Sequence, residues 1–165
     1  MGYNVKKGKE QATPDGSEFR TFEDLEVYKA AREFRKKMYG VARRLPDFEK
    51  FGLASQIRRA AVSLTNNMAE GHGRYHFADQ VRFFLGSLGS LQELVDDINV
   101  CNDEKYLEGD EITELKGEAW RVLGLINGYL RYLRDRKAND RSAVREGSDG
   151  EIALLDEALR SGGPF

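Results

Sequence analysis

Apolar residues return every three or four positions through four long segments of this 165-residue chain. That spacing puts apolar side chains on one face of an α-helix, whereas a half-buried strand would carry them at every second position. No stretch of the sequence shows the alternating pattern. The periodicity therefore predicts an all-α fold in which four helices bury their apolar faces against one another.

Short breaks separate the predicted helices. The first begins at Thr21, with Asp24 in a capping-box-like position, and Pro46 ends it. The other three span about residues 49–71, 75–101 and 109–137. Because the connections are short, consecutive helices should be antiparallel, which predicts an up-down-up-down four-helix bundle.

The two ends of the sequence differ from the helical part. Residues 1–20 are polar, with Gly, Pro and Asp-Gly, and are predicted to be a flexible arm. Residues 21–137 form the predicted bundle domain. Residues 138–165 hold six acidic and three basic side chains and are predicted to be a disordered acidic tail. Its segment "GEIALLDEALR" has helical periodicity but is too short for a stable isolated helix.

Several functional classes find no support in the sequence. Its one cysteine, Cys101, excludes an internal disulfide, fits a reducing compartment and is predicted to be a small core residue. No apolar run approaches the roughly 20 residues that span a bilayer. "MGYNVKKGKEQ" lacks the apolar segment of a signal peptide. These features predict a cytoplasmic protein without membrane contact.

The sequence contains no motif of a phosphate-binding loop, a dinucleotide site or a nucleophile elbow. His72 and His76 are four residues apart and, on a continuous helix, would share a metal with Glu70. Gly71 and Gly73 argue against a continuous helix there. We therefore predict a protein that is not an enzyme and needs no metal or cofactor.

The first helix is predicted to be basic on its outer side. Residues 21–46 hold seven basic and four acidic side chains, although the whole chain has a formal charge of −2. Four cations lie within roughly 60° of one another, opposite the apolar stripe: Lys29, Arg32, Lys36 and Arg43. This basic row either only solvates the surface or follows a phosphate backbone.

Two further arginines, Arg58 and Arg74, flank the apolar stripe of the second helix and complete the predicted set of nucleic-acid contacts. We expect weak, sequence-tolerant binding to RNA or DNA that falls steeply as salt is raised. The acidic tail would compete with nucleic acid for the same cations.

The second helix also carries a polar row beside a thin apolar stripe. Its members recur at steps of four, four and three residues: Arg59, Ser63, Asn67 and Glu70. Such side chains can hydrogen-bond across a seam between helices and fix their register. The alternative is a recognition site for a phosphate or a base.

The third helix is apolar around about 200°, which is twice what one face of a bundle needs. Small residues within it would let another backbone approach closely. This pattern predicts self-association, with the alternative that the tail or the arm covers the face within one chain. The predicted interface comprises Phe83, Gly86, Gly89, Ser90 and Leu94.

Three segments together resemble a known family: "FEDLEVYKAAREF", "GLASQIRRAAVSLTNNMAEGHGR" and "GSLGSLQEL". They are similar to the four-helix-bundle proteins found in intervening sequences of 23S ribosomal RNA genes. That family is similar in turn to the accessory variability determinant proteins of diversity-generating retroelements. The resemblance covers about residues 22–137. The chain departs from the pattern at Thr65, where proline is common, and at His72, where an aromatic residue is common.

The resemblance implies a barrel-like homopentamer of bundles without enzymatic activity. For the accessory-determinant branch it also implies binding of nucleic acid and a reverse transcriptase. We therefore predict a non-catalytic, oligomeric accessory protein that binds nucleic acid. The alternative is a structural protein–protein adaptor with no nucleic-acid role, and the choice of branch stays open.

Overall fold

A computed structural model describes residues 21–141, which fold into four α-helices joined by short connections. The helices are α1 (Glu26–Arg44), α2 (Leu53–His72), α3 (Phe77–Asp103) and α4 (Gly109–Arg141). Short 3-10 turns cover Phe22–Asp24 and Asp47–Glu49. This part of the chain contains no β-strand. The predicted all-α fold is therefore confirmed.

The predicted capping box forms, but it caps a 3-10 turn rather than the first α-helix. Thr21 Oγ1 accepts a hydrogen bond from the Glu23 amide, and Asp24 Oδ2 accepts one from the Thr21 amide at 2.9 Å. Extended backbone at Leu25 then separates this turn from α1. The α-helix therefore begins five residues later than predicted, at Glu26.

The helices pack in sequence, and α1 closes the bundle against α4. Pairs of contacts along two seams show antiparallel neighbours. Arg59 and Ser63 of α2 meet Glu93 and Ser90 of α3 in reverse order. Lys37 and Arg44 of α1 likewise meet Glu114 and Glu111 of α4 in reverse order. Most apolar residues that recur at three- and four-residue spacing are buried. The largest fully buried side chains include Phe34, Met38, Ile57, Leu64, Phe84, Leu91, Ile126 and Leu130. The four-helix-bundle prediction is thus confirmed for the single chain.

One carboxylate ties together the two connections at one end of the bundle. Glu49 Oε2 accepts a hydrogen bond from the Leu53 amide at 2.9 Å and so caps α2 from outside the helix. The Tyr106 hydroxyl, between α3 and α4, donates to Glu49 Oε1 at 3.1 Å. A Cβ at Gly52 would come within 2.6 Å of Glu49 Oε2, so this cap requires glycine at that position.

The broad apolar arc of α3 is used within the single chain. Because α3 lies between α2 and α4, it needs two apolar flanks rather than one. Phe84 packs on Tyr129 of α4, while Leu85, Leu88 and Val95 are half-buried against the core. The arc therefore does not by itself require a second copy to cover it, and self-association stays a prediction.

The predicted arm, residues 1–20, lies outside the described residues. So do residues 142–165, which make up most of the predicted tail and include its periodic segment. Residues 138–141 continue α4 past its predicted end at residue 137. Within residues 21–141, no helix combines the length and the apolarity that a bilayer crossing requires.

Candidate nucleic-acid interface

The cations of α1 that face α4 are matched by carboxylates. Lys37 Nζ hydrogen-bonds Glu114 at 2.6 Å and also Glu118, and both bonds raise the pKa of this lysine. Arg44, about two turns nearer the end of α1, pairs with Glu111 of α4. The seam between α1 and α4 is therefore close to electrically neutral.

The opposite flank of α1 differs, because it forms a basic groove along the seam with α2. The groove has a volume of about 370 Å³ and is lined by Arg35, Lys36, Tyr39, Arg43 and Val62. The four α1 residues share one side of the helix at relative positions 0, 1, 4 and 8. Only one acidic residue, Glu70, occurs in α2, and it pairs with Arg74 at the far end. The α2 wall of the basic groove thus offers no carboxylate.

Arg35 is held in the wall of the basic groove by a buried hydroxyl. Its Nη1 donates to Thr65 Oγ1 at 2.7 Å, and the Thr65 hydroxyl lies 3.2 Å from the Val62 carbonyl oxygen, to which it donates. Thr65 itself is buried. Since a guanidinium carries five N–H donors, several remain for an anionic ligand.

The rest of the predicted basic row is exposed, as the sequence implied, and is paired with glutamates of its own helix. Lys29 Nζ lies 2.8 Å from a carboxylate oxygen of Glu26. Glu33 pairs with two cations, Lys36 at 2.6 Å and Arg32 at 3.6 Å. The hydrogen bond from Lys36 lowers the pKa of Glu33. Exposed pairs of this kind contribute little to stability, so a phosphate can replace the glutamate.

Arg43 is exposed and makes no ion pair with any residue between 21 and 141. The Arg35–Thr65 contact sets the register of the antiparallel seam between α1 and α2. In this register Arg58 of α2 lies at the same height along the bundle as Arg43 of α1. Arg58 is also on the same side of α2 as Thr65, seven residues away. Arg58 donates to the Lys50 carbonyl at 2.9 Å. It therefore extends the basic groove toward the connection between α1 and α2.

Arg74 does not belong to this surface. It follows α2 at the opposite end of the bundle, pairs with Glu70 and stacks over the ring of Phe83 at 4.8 Å. Because Phe83 is on α3, Arg74 covers the α2–α3 seam. Arg74 therefore lies apart from the other predicted nucleic-acid contacts, and its own contact with nucleic acid stays a prediction.

The polar row of α2 borders α3. Asn67 Nδ2 donates to the Ser63 carbonyl at 3.0 Å, and the Ser90 hydroxyl lies 2.8 Å from Ser63 Oγ. Arg59, farther along the row, lies 3.3 Å from Glu93 of α3. These contacts support the interpretation as a network that fixes helix register. The small side chains of α2 let α3 approach closely. This close approach explains why α2 has only a thin apolar stripe.

Part of the predicted oligomer interface lies inside the single chain. Ser90 and Leu94 are buried and therefore offer no exposed surface to a second copy. Gly86 is exposed, and a Cβ at this position would lie 3.2 Å from the Asn67 side chain. Its place at a contact between copies stays a prediction. Phe83 is half-buried beneath Arg74. Gly89 is exposed, with nothing within 4 Å of its added Cβ.

Cysteine and histidine side chains elsewhere in the described residues do not form a reactive cluster. Burial raises the pKa of the Cys101 thiol to about 11, so at neutral pH it is a protonated core residue, as predicted. His72 ends α2, and His76 precedes α3. Within residues 21–141, no three His, Cys, Asp or Glu side chains come together to hold a metal ion.

Sequence reasoning missed Arg35, Tyr39, Val62 and Thr65. On a helical projection Arg35 and Tyr39 border the apolar stripe, where long side chains usually only cover the core. Their role depends on what α2 places opposite them. A signal was available in the composition of α2, whose wall of the basic groove has no acidic residue.

Fold and site together define a class: a small four-helix-bundle protein with a basic groove along one seam. The chain belongs to the family described as 23S rRNA-intervening sequence protein, whose sequence model matches residues 23–128. The matched part includes all of α1, α2 and α3 and more than half of α4. A search of curated proteins finds no match.

Proposed function

We propose that this protein is a non-catalytic accessory protein that binds the phosphate backbone of nucleic acid in its basic groove. One observation carries the proposal. Lys37 and Arg44 of α1 pair with glutamates of α4, whereas the cations of α1 that lie beside α2 meet no carboxylate of α2. Such an unbalanced charge, on a rigid pair of helices, supports binding of an anionic polymer.

The formal charge of −2 on the whole chain is compatible with this role. Phosphate contacts respond to the potential within about a Debye length, roughly 8–10 Å at physiological salt. Arg35, Lys36 and Arg43 lie within about two helical turns of one another. Binding releases counterions from the nucleic acid and is therefore expected to weaken steeply with salt.

The family description supports a ribosomal-RNA context for the proposed ligand, since it refers to intervening sequences of 23S rRNA. A reverse transcriptase as protein partner is a further part of the proposal. It is supported by the similarity to accessory variability determinant proteins. A reverse-transcriptase reading frame beside the gene would favour the accessory-determinant branch. A position of the gene within an insertion in a 23S rRNA gene would favour the proteins of 23S rRNA intervening sequences.

Assembly into a homo-oligomer, with five copies in a barrel, completes the proposal. Helical glycines with open space around their Cβ positions support it, because they cost helix stability and have no packing reason within the chain. They are Gly89 of α3 and Gly117, Gly124 and Gly128 of α4. Sedimentation equilibrium at micromolar concentration would contradict assembly if it gave the 18.7 kDa monomer. If Gly89 lies at the contact, Gly89→Leu should impair assembly.

A binding titration with a charge-reversed variant tests the main proposal. Fluorescence anisotropy at about 50 mM salt, where phosphate contacts are strong, would follow a labelled RNA and a labelled DNA duplex. Reversal of Lys36 and Arg43 to glutamate should abolish most binding. Reversal of Arg82 and Arg131, exposed cations of α3 and α4, is the matched control and should change it little. Absence of binding by the unmodified protein would overturn the proposal.

A protein–protein adaptor is the second candidate, and a different surface favours it. Phe48 and Phe51, in the connection between α1 and α2, are 76% and 88% exposed. Two exposed phenylalanines so close together are typical of an anchor for a protein partner. Substitution of both by serine would abolish adaptor binding while leaving the basic groove intact.

A further inference from the structure

The basic groove contains an aromatic ring among its cations. Tyr39 lies one helical turn after Arg35 and one turn before Arg43 on the same side of α1, so about 6 Å of helix axis separates it from each. Val62 of α2 adds an apolar side chain to the lining. These groups match the parts of one nucleotide: the ring and the aliphatic side chain can contact the base, and the cations on both sides of the ring can contact the flanking phosphates.

The aromatic ring in the basic groove favours single strands over double strands as the ligand. A duplex presents its phosphates outward and keeps the faces of its bases within the stack. The half-buried Tyr39 ring is therefore of no use to a duplex, which would contact the exposed cations alone. An unpaired base, in contrast, can be turned into the open groove and stacked on an aromatic side chain.

The walls of the basic groove are also fixed in advance. Tyr39 packs against the core from within α1, and Arg35 is tied to the buried Thr65 hydroxyl. Both groups are thus ordered before a ligand arrives, which reduces the entropy lost on binding.

We propose that the basic groove binds single-stranded nucleic acid, with one unpaired base stacked on Tyr39 and the neighbouring phosphates on Arg35, Lys36 and Arg43. This inference rests on the proposed function and specifies its ligand. The ring recognises any base, so the preference is for strandedness rather than sequence.

Anisotropy titrations with labelled oligo(U), oligo(dT) and a mixed-sequence duplex of equal length test this inference. Tyr39→Leu should weaken binding of both single strands by roughly 5- to 100-fold, the range expected for loss of one base–aromatic stack. Duplex binding should stay within about twofold, because phosphate contacts are unchanged. Tyr39→Phe keeps the ring and should retain strand binding. Tighter binding of oligo(U) than of oligo(dT) would identify RNA as the source of the strand.

The outcomes separate the two proposals. If neither strand nor duplex binds, the proposed function itself fails. If both bind and Tyr39→Leu weakens neither, nucleic-acid binding stands and the stacking inference is overturned. Should Tyr39→Leu fail to fold, photocrosslinking of the unmodified protein to 4-thiouridine-containing RNA replaces it: a crosslink at Tyr39 supports the inference, and crosslinks confined to other residues contradict it.

Discussion

Arg35 of α1 donates a hydrogen bond from Nη1 to Thr65 Oγ1 of α2 at 2.7 Å, and this contact joins the core of the bundle to its basic groove. The continuous course of α2 from Leu53 to His72 keeps Thr65 in regular helix, where its hydroxyl is buried. Arg35 is therefore positioned by a buried hydroxyl of α2.

Replacing Thr65 by valine should loosen Arg35 without changing the shape of the core. We expect the free energy of unfolding to fall by about 1 kcal/mol, for the loss of one hydrogen bond. Affinity for a single-stranded RNA should fall by about fivefold, which corresponds to a similar energy. Thr65→Ser keeps the hydroxyl and serves as the control. Unchanged affinity in Thr65→Val would show that the position of Arg35 does not matter for binding.

The network between α2 and α3 predicts unequal effects for two members of the same polar row. Asn67 hydrogen-bonds Ser63 inside the seam, so Asn67→Ala should lower the free energy of unfolding by about 1–2 kcal/mol. Glu70 is exposed and pairs only with Arg74 of its own segment. Glu70→Ala should therefore change it by less than about 0.5 kcal/mol. Urea titrations of both variants measure this, and equal destabilisation would contradict it.

Glycines that look alike in the sequence should respond in opposite ways to alanine. A Cβ at Gly71 would lie 2.9 Å from Phe83 Cβ and 3.3 Å from the Gln80 carbonyl, so Gly71→Ala should destabilise the fold by about 1–3 kcal/mol. A Cβ at Gly124 meets open space within the single chain, so Gly124→Ala should stabilise α4 of the monomer by about 0.5–1 kcal/mol. Thermal unfolding of the two variants, at concentrations low enough for the chain to be monomeric, tests the contrast. Destabilisation of the monomer by Gly124→Ala would contradict the open space at this position.

The sequence predicted the fold better than the site, and α3 shows why. Helix positions follow from the spacing of apolar residues, which depends on each segment alone. Which side of α3 faces α2, and therefore that Gly86 lies beside Asn67, depends on the pairing of segments far apart in the chain. Likewise, Lys37 and Lys36 are adjacent in sequence, yet one meets glutamates of α4 and the other opens onto the basic groove.

Asp97 makes stability depend on pH. Burial, followed by repulsion from Glu93 and Asp96, raises its pKa to about 6, and Arg59 opposes this only in part. Its Oδ2 is buried without a hydrogen-bond partner among the described residues. In the unfolded chain the pKa of Asp97 is about 4, so the folded state holds this proton more tightly. The contribution of Asp97 to stability therefore falls as pH rises from about 4 to about 6. Above about pH 6 the contribution is constant.

Asp97→Asn should remove this contribution and raise the free energy of unfolding near pH 7.5. We expect a gain of roughly 1 kcal/mol, since the carboxyl is only half-buried and solvent screens part of the effect. Urea unfolding of both proteins at several pH values between 4 and 8 provides the comparison. A parallel pH dependence in the two proteins would refute the assignment to Asp97.

The central claim is that cations of the basic groove contact phosphates, and the salt dependence of binding measures those contacts most directly. The logarithm of the association constant for a single-stranded RNA should fall linearly with the logarithm of salt concentration, by about 0.7 per phosphate contact. Removing two contacts with Lys36→Ala and Arg43→Ala together should make the slope shallower by about 1.4, whereas Arg82→Ala with Arg131→Ala should leave it unchanged. The same slope in the unmodified protein and the Lys36/Arg43 variant would contradict the claim.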